Sequence, residues 1–207
     1  MLALVAGYVD ALSYLGLHVF VANMTGTTVL LGLAVAAAQW PAALSHTGMI
    51  ACFVLGVVVS RLLRRATRST SQPALGLAAL LVGGGALLPV GLPAGYLLAL
   101  GMGVQNGAAT RFGGVSVNTA FLTGDLEHLG EAVAERGRRR GAWLILSVLI
   151  AYAIGAGLGG LAHAGLQLPL WPAASVLALA TCLARTSRAD QREAVSNSVS
   201  TTRRPRE

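Results

Sequence analysis

The sequence predicts an all-α protein: a polytopic transmembrane helical bundle of about six spanning helices, built as two inverted three-helix repeats. Each repeat carries a T-G helix that is broken or does not cross. Three observations lead there. The 207 residues are 55% hydrophobic and 11% charged, with a mean hydropathy of +0.67, more apolar than a water-soluble domain tolerates. The apolar residues fall into blocks of ~17 to 25, the length of helix that spans a ~30 Å hydrocarbon layer. The two halves of the chain resemble one another.

Taken in order, the apolar blocks are 1–17, 22–38, 42–65, 74–92, 93–112, 119–136, 141–166 and 169–186. The first contains Asp10 and lacks a basic leader or a small-residue cleavage site, so it reads as a retained helix rather than a signal peptide. Pro41, Pro73, Pro93 and Pro169 sit near block starts, where a missing amide hydrogen does no harm. Residues 187–207, rich in Ser, Thr and Arg, read as a disordered cytoplasmic tail.

The repeat shows most clearly in "TGTTVLLGLAVA" at 25–36 against "TGDLEHLGEAVA" at 123–134, where seven of twelve positions are identical. Upstream, Gly7-Tyr-Val-Asp10 answers Gly103-Val-Gln-Asn106 at an offset of 96; downstream, "LG" at 55–56 answers "IG" at 154–155. Residues 1–92 and 93–186 are therefore read as the two halves.

All 15 cations are arginine, grouped at 61–68, at 136–140 and from 185 onward, apart from Arg111. Each group follows an apolar or amphipathic block, which is how cytoplasmic flanks look under the positive-inside rule. That distribution argues against nucleic acid as the partner of the +7 net charge. Eight crossings cannot put all three groups on one side, so some block does not cross. Block 119–136 is the obvious one: Asp125, Glu127, His128, Glu131 and Glu135 are costly in lipid. If 22–38 also fails to cross, six helices span, both termini are cytoplasmic, and three crossings per half invert the second copy. Seven crossings with an outside N-terminus satisfy the arginines equally well.

Non-helical backbone at membrane depth needs protein or a water-lined cavity around it. Gly26 and Gly124 mark such places in equivalent positions. The candidate site is Asp10, Asn23, Thr25, Gly26 and Thr27 from the first half, with Gln105, Asn106, Thr123, Gly124 and Asp125 from the second. Asn23, Thr25 and Thr123 are placed to cap the helices that begin there, leaving amides and a positive dipole end for a small anion or polar solute. A carboxylate in an apolar helix points to function, and Asn106 in the equivalent place suggests that the fold accepts an amide there. Against this stands close packing and interhelical hydrogen bonding, the commonest use of Thr and Gly in membrane helices.

The other polar groups say less. Glu127, Glu131 and Glu135 recur at helical spacing opposite Leu126, Leu129 and Val133, an amphipathic interfacial face. His128 with Glu131 falls short of a metal set, and Cys52 and Cys182 read as buried thiols. Glycines 155, 157, 159 and 160 form a close-packing surface for another helix, within or between subunits, so a homo-oligomer is open. No nucleophile with its base, nucleotide loop or haem motif occurs, so neither an enzyme nor a cofactor is expected.

The stretch "GYVDALSYLGLHVFVANMTGTTVLLGLA" at 7–34 resembles the bacterial YoaK family, a membrane domain of unknown function. Gly7, Asp10, Ala11, Asn23, Met24, Thr25 and Gly26 match its G-x-x-D-A and "VFVANMTGN"-like elements; Thr27 replaces the usual Asn. The resemblance covers residues 1–186 and implies a bacterial inner-membrane, multi-pass protein of about six helices. The function expected is a small-solute transporter or channel with a central site at the paired T-G breaks and Asp10. The alternative is a non-transporting scaffold or partner-binding protein in the lipid bilayer.

Overall fold

The computed structural model describes residues 1–67, 71–108, 126–127, 130 and 139–166. Among them are six helices and no strand: α1 (Leu2–Leu17), α2 (Met24–Ala36), α3 (Trp40–Ala66), α4 (Gln72–Leu87), α5 (Leu92–Ala108) and α6 (Arg139–Leu161), the last continued by a π-helical turn at Ala162–Leu166. They correspond to six of the eight apolar blocks. Blocks 119–136 and 169–186 lie essentially outside the described residues. Two stretches, Trp40–Ala66 and Ala142–Ala164, are long and apolar enough to cross a membrane.

Local chemistry sets the helix ends. Pro41 and Pro73 fall in the first turns of α3 and α4, where proline lacks only an amide that has no helical partner. α1 stops at His18, which adopts a left-handed conformation (φ 54°) and returns its N–H to Tyr14 O. α2 and α3 are joined by a tight link at 37–39 in which Ala38 also has positive φ (55°). α6 begins earlier than its apolar block, because Arg139 and Arg140 form its first turn.

Helix directions follow from which residues meet. Gln105 Nε2 donates to Leu2 O, while Leu17 packs on Gly95, so α1 and α5 run antiparallel. Met49 meets Gly95, Phe53 meets Gly103 and Ser60 meets Gly107, so α3 runs parallel to α5 and antiparallel to α1. Leu81 and Val82 pack on Gly101, and Gly85 on Leu98, which makes α4 antiparallel to α5. Leu4 meets Gly155 and Tyr8 meets Gly159, so α6 is parallel to α1. The chain therefore alternates through α1, α3, α4 and α5, and α2 contributes no reversal of its own.

The bundle is joined at two glycine crossings. At one, a methyl group on Gly7 would collide with Tyr152 O, one on Gly155 with Leu4 O, and one on Gly159 with Tyr8 O at 2.6 Å. At the other, a methyl group on Gly103 would collide with Phe53 O, one on Gly56 with Leu100 O, and one on Gly107 with Ser60 Cβ at 2.6 Å. Backbone-to-backbone approach of this kind is what small residues permit between membrane helices. The central apolar core unites α1, α3, α4 and α5 through Val5, Val9, Met49, Phe53, Val82, Leu98 and Met102.

These crossings predict a sharp contrast among glycines. Gly103→Ala and Gly155→Ala should each destabilise the detergent-solubilised protein by about 1–3 kcal/mol, the usual cost of overpacking. Gly76→Ala and Gly157→Ala, which meet nothing within 4 Å, should leave thermal unfolding unchanged or raise its midpoint. Thermal melts of the four purified variants check this.

Candidate functional site

Asp10 sits in the middle of α1 and is 2% exposed. Beyond His18 the chain turns back along the helix it has just left, and residues 18–23 form a strap that returns to the level of Asp10. The distance regained is ~10 Å, seven helical residues at ~1.5 Å each. There the carboxylate collects the strap's amides: Val21 N and Ala22 N donate to Oδ1 at 2.8 and 2.7 Å, and Asn23 N donates to Oδ2 at 2.9 Å. Tyr152 of α6 completes the shell, its hydroxyl donating to Oδ2 at 2.6 Å. Four donors on one carboxylate offset the cost of removing it from water, which an isolated buried charge would not survive.

α2 starts directly from this anchor. Asn23 Oδ1 accepts from Gly26 N at 3.2 Å, an N-cap. Thr27 Oγ1 donates to Phe20 O at 2.6 Å, satisfying a strap carbonyl that no helix serves. The Phe20 ring stacks on Tyr14 at 4.7 Å between centroids and lies over Gly26, where a methyl group would approach it to 2.7 Å. Thr28 Oγ1 bonds back to Met24 O within α2. The hydroxyls and amide of "VFVANMTGTT" thus mostly serve the backbone of a chain that turns back on itself.

The structure brings the first-half residues together and separates others. Asp10, Asn23, Gly26 and Thr27 surround the strap; Thr25, in the same first turn of α2, points away and is exposed. Gln105 and Asn106 stand on α5, near the end where α1 begins. Gln105 is fully buried, bonded through Nε2 to Leu2 O, and among the described residues its Oε1 has no hydrogen-bond partner. Asn106 Oδ1 is likewise buried without a partner among the described residues. Thr123, Gly124 and Asp125 fall outside the described residues. Among the described residues there is no cluster of three or more His, Cys, Asp or Glu suited to a metal.

Sequence reasoning missed Tyr152 and Phe20. Phe20 carried no signal. Tyr152 did: it lies 99 residues after Phe53, the offset at which "LG" and "IG" align, so the second half gains a hydroxyl over its Phe53 counterpart while the first half carries a carboxylate over its Asn106 counterpart.

The family model described as "Protein of unknown function (DUF1275)" matches residues 1–183. The chain belongs to this family. The UPF0700 transmembrane protein YoaK of Bacillus subtilis (strain 168) is 32% identical over 148 residues, covering 66% of this chain and 66% of that relative's length. No solved structure matches. This DUF1275 chain is accordingly a membrane protein, as the resemblance at 7–34 implied, and Gly7, Asp10, Asn23 and Gly26, which carried that resemblance, are the residues that build the strap and its crossing.

The donor shell changes what is expected of Asp10. The neutral Asn106 suggests that an amide is tolerated, yet in Asp10→Asn an Nδ2 group would confront Asn23 N–H, donor against donor. We expect this variant to lose about 2 kcal/mol or more of stability, the scale of hydrogen bonds to a charged group. Thr27→Val, which orphans Phe20 O, should cost about 1–2 kcal/mol. Thr25→Val should be neutral. Detergent-solubilised thermal or denaturant unfolding of the three variants checks the order.

Proposed function

We propose that this DUF1275 protein is a multi-pass inner-membrane transporter or channel for a small polar solute, built from two inverted halves around broken T-G elements. The observation that carries the reading is that α2 begins at mid-depth of the bundle, beside Asp10, and leaves by the end at which it entered. An element that goes in extended and comes out helical, at the depth of a buried charge, is the usual construction of a transporter's solute site.

Several features support the architecture. α2 is ~20 Å long, 13 residues at ~1.5 Å, too short for a ~30 Å layer. The antiparallel relation of α1 and α3 speaks against a full crossing by α2 and so supports six crossings over seven. The C-terminal end of α3, with Arg61, Arg64 and Arg65, and the N-terminal end of α6, with Arg139 and Arg140, then share the end of the bundle at which α1 starts. The positive-inside rule makes that end cytoplasmic. The two glycine crossings also correspond: Gly7 on Tyr152 O matches Gly103 on Phe53 O, and Gly155 on Leu4 O matches Gly56 on Leu100 O, at offsets of 96 and 99. Each half lends its first helix to the third helix of the other, which is how inverted repeats interlock.

In this reading the path runs past the strap and the start of α2, with Asp10, Asn23, Thr25, Gly26 and Thr27 on one side. Gln105 and Asn106, and Thr123, Gly124 and Asp125 of the second T-G element, supply the other. A specific observation favours the second reading, a non-transporting scaffold: the Asp10 carboxylate is fully bonded and Thr25 is exposed.

Two measurements test the proposal together. Single cysteines at residues 138 and 195 should be shielded from a membrane-impermeant thiol reagent in intact cells, and one at residue 38 should react. Periplasmic labelling at 138 or 195 would overturn the topology. Proteoliposomes should then take up or exchange at least one of a panel of radiolabelled small organic anions, amino acids and polyols. Correct topology with no flux above protein-free vesicles would shift the conclusion to the scaffold.

A further inference from the structure

The strap and the start of α2 are held to one another by side chain–backbone contacts. Thr27 holds Phe20 O, Asn23 caps Gly26, and Phe20 lies over Gly26, so the strap and the start of α2 form one unit. Beside the burial of Val19, Val21 and Ala22 in the apolar core and the stacking of Phe20 on Tyr14, what ties that unit to the bundle by hydrogen bonds is the carboxylate of Asp10, which receives three strap amides on one side and the Tyr152 hydroxyl on the other. The glycine crossing beneath it is different in kind: Gly7 and Gly155 meet opposing carbonyls directly, leaving no slack for movement.

The halves differ at this one point in a correlated way. Asp10 is answered by Asn106 at an offset of 96, and Tyr152 answers Phe53 at an offset of 99. The charged acceptor and its hydroxyl donor, one from each half, are present together at the α1–α6 crossing and absent together at the α5–α3 crossing. Phe53 and Asn106 hold the equivalent positions at the other crossing, with Asn106 Oδ1 unpartnered among the described residues.

We propose that Asp10 and Tyr152 form a latch holding the strap at residues 18–23 against the α1–α6 crossing, and that release of this latch, with the glycine crossings intact, is the opening motion of the first half. Tyr152 is a positioning residue: its hydroxyl orients the carboxylate so that both oxygens meet strap amides. Without that donor, water supplies the missing hydrogen bond and enters between strap and helix. The inference does not depend on transport, because it concerns how the strap is held and is read without any solute.

The test uses the full-length purified protein in detergent, with Cys52 and Cys182 replaced by Ser, and a water-soluble maleimide. One reporter is Val21→Cys in the strap; the control is Ala99→Cys in α5. Both positions are 0% exposed. In the parent both should react slowly. Tyr152→Phe should speed labelling of Val21→Cys by about tenfold or more, the population change that loss of a hydrogen bond to a charged group brings, and leave Ala99→Cys unchanged. Asp10→Asn should do the same, and the double variant should label no faster than Asp10→Asn alone. Unchanged labelling at residue 21 in Tyr152→Phe would overturn the latch. So would a rise at residue 99 that tracks residue 21, which signals general loosening, or a double-variant effect equal to the product of the singles, which signals independent groups.

Discussion

A carboxylate inside an apolar bundle must be surrounded by donors, and most of the described architecture near α2 follows from that requirement. Asp10 stands on α1 with no cation among its hydrogen-bond partners, so the donors come from backbone amides and one hydroxyl. Amides can reach a mid-helix side chain only if the chain comes back to it, which is what the left-handed turn at His18 accomplishes. Once residues 21–23 are fixed there, α2 has to begin at that depth. It then has room only to return the way the strap came. The absence of a chain reversal across α2, and hence the antiparallel relation of α1 and α3, is a consequence of where one acidic side chain sits.

The glycine crossings supply the second constraint, and it complements the first. In a lipid environment apolar burial gives little drive for helices to associate, so close backbone approach carries the packing. Gly7 serves both requirements. By letting α6 touch α1 it brings Tyr152 O against the first helix and its hydroxyl, by way of the same residue, to Asp10. A bulkier residue at position 7 would push α6 outward and withdraw the fourth donor from the carboxylate, so a packing change would be felt as an electrostatic one.

Sequence alone disclosed the helices, the proline-marked starts and the anomaly at 22–38, because hydropathy, proline and charge act locally. It disclosed the importance of Asp10 for the same reason. What it did not disclose was the use to which the polar groups are put. Val21 and Ala22 contribute through their amides, which every residue has, so no composition signal marks them. Thr25 and Thr27 look alike in sequence, yet the turn of α2 sends one outward and the other onto Phe20 O. Charge leaves the crossing of 22–38 open, since six and seven crossings both satisfy the arginines; the relative directions of α1, α3 and α5 come from the pairing of Leu2 with Gln105, Leu17 and Met49 with Gly95, and Phe53 with Gly103, contacts between residues far apart in the chain.

The polar groups of the bundle fall into two classes, and the division bears on where a solute would be met. Asp10, Asn23 and Thr27 are closed: their partners are backbone groups and, for Asp10, the Tyr152 hydroxyl as well, and together they build the break. Gln105 Oε1 and Asn106 Oδ1, like Tyr8 OH, His46 Nδ1 and Ser60 Oγ, are open: they are buried and lack hydrogen-bond partners among the described residues, and these two are acceptors on consecutive residues of α5. An acceptor left unsatisfied in an apolar interior costs about 1–3 kcal/mol, so it persists where something other than the fold provides the donor. Were the proposed solute site present, the T-G stretch that draws attention in the sequence would be its scaffold, and α5, which presents an amide where α1 presents a carboxylate, the helix facing its contents.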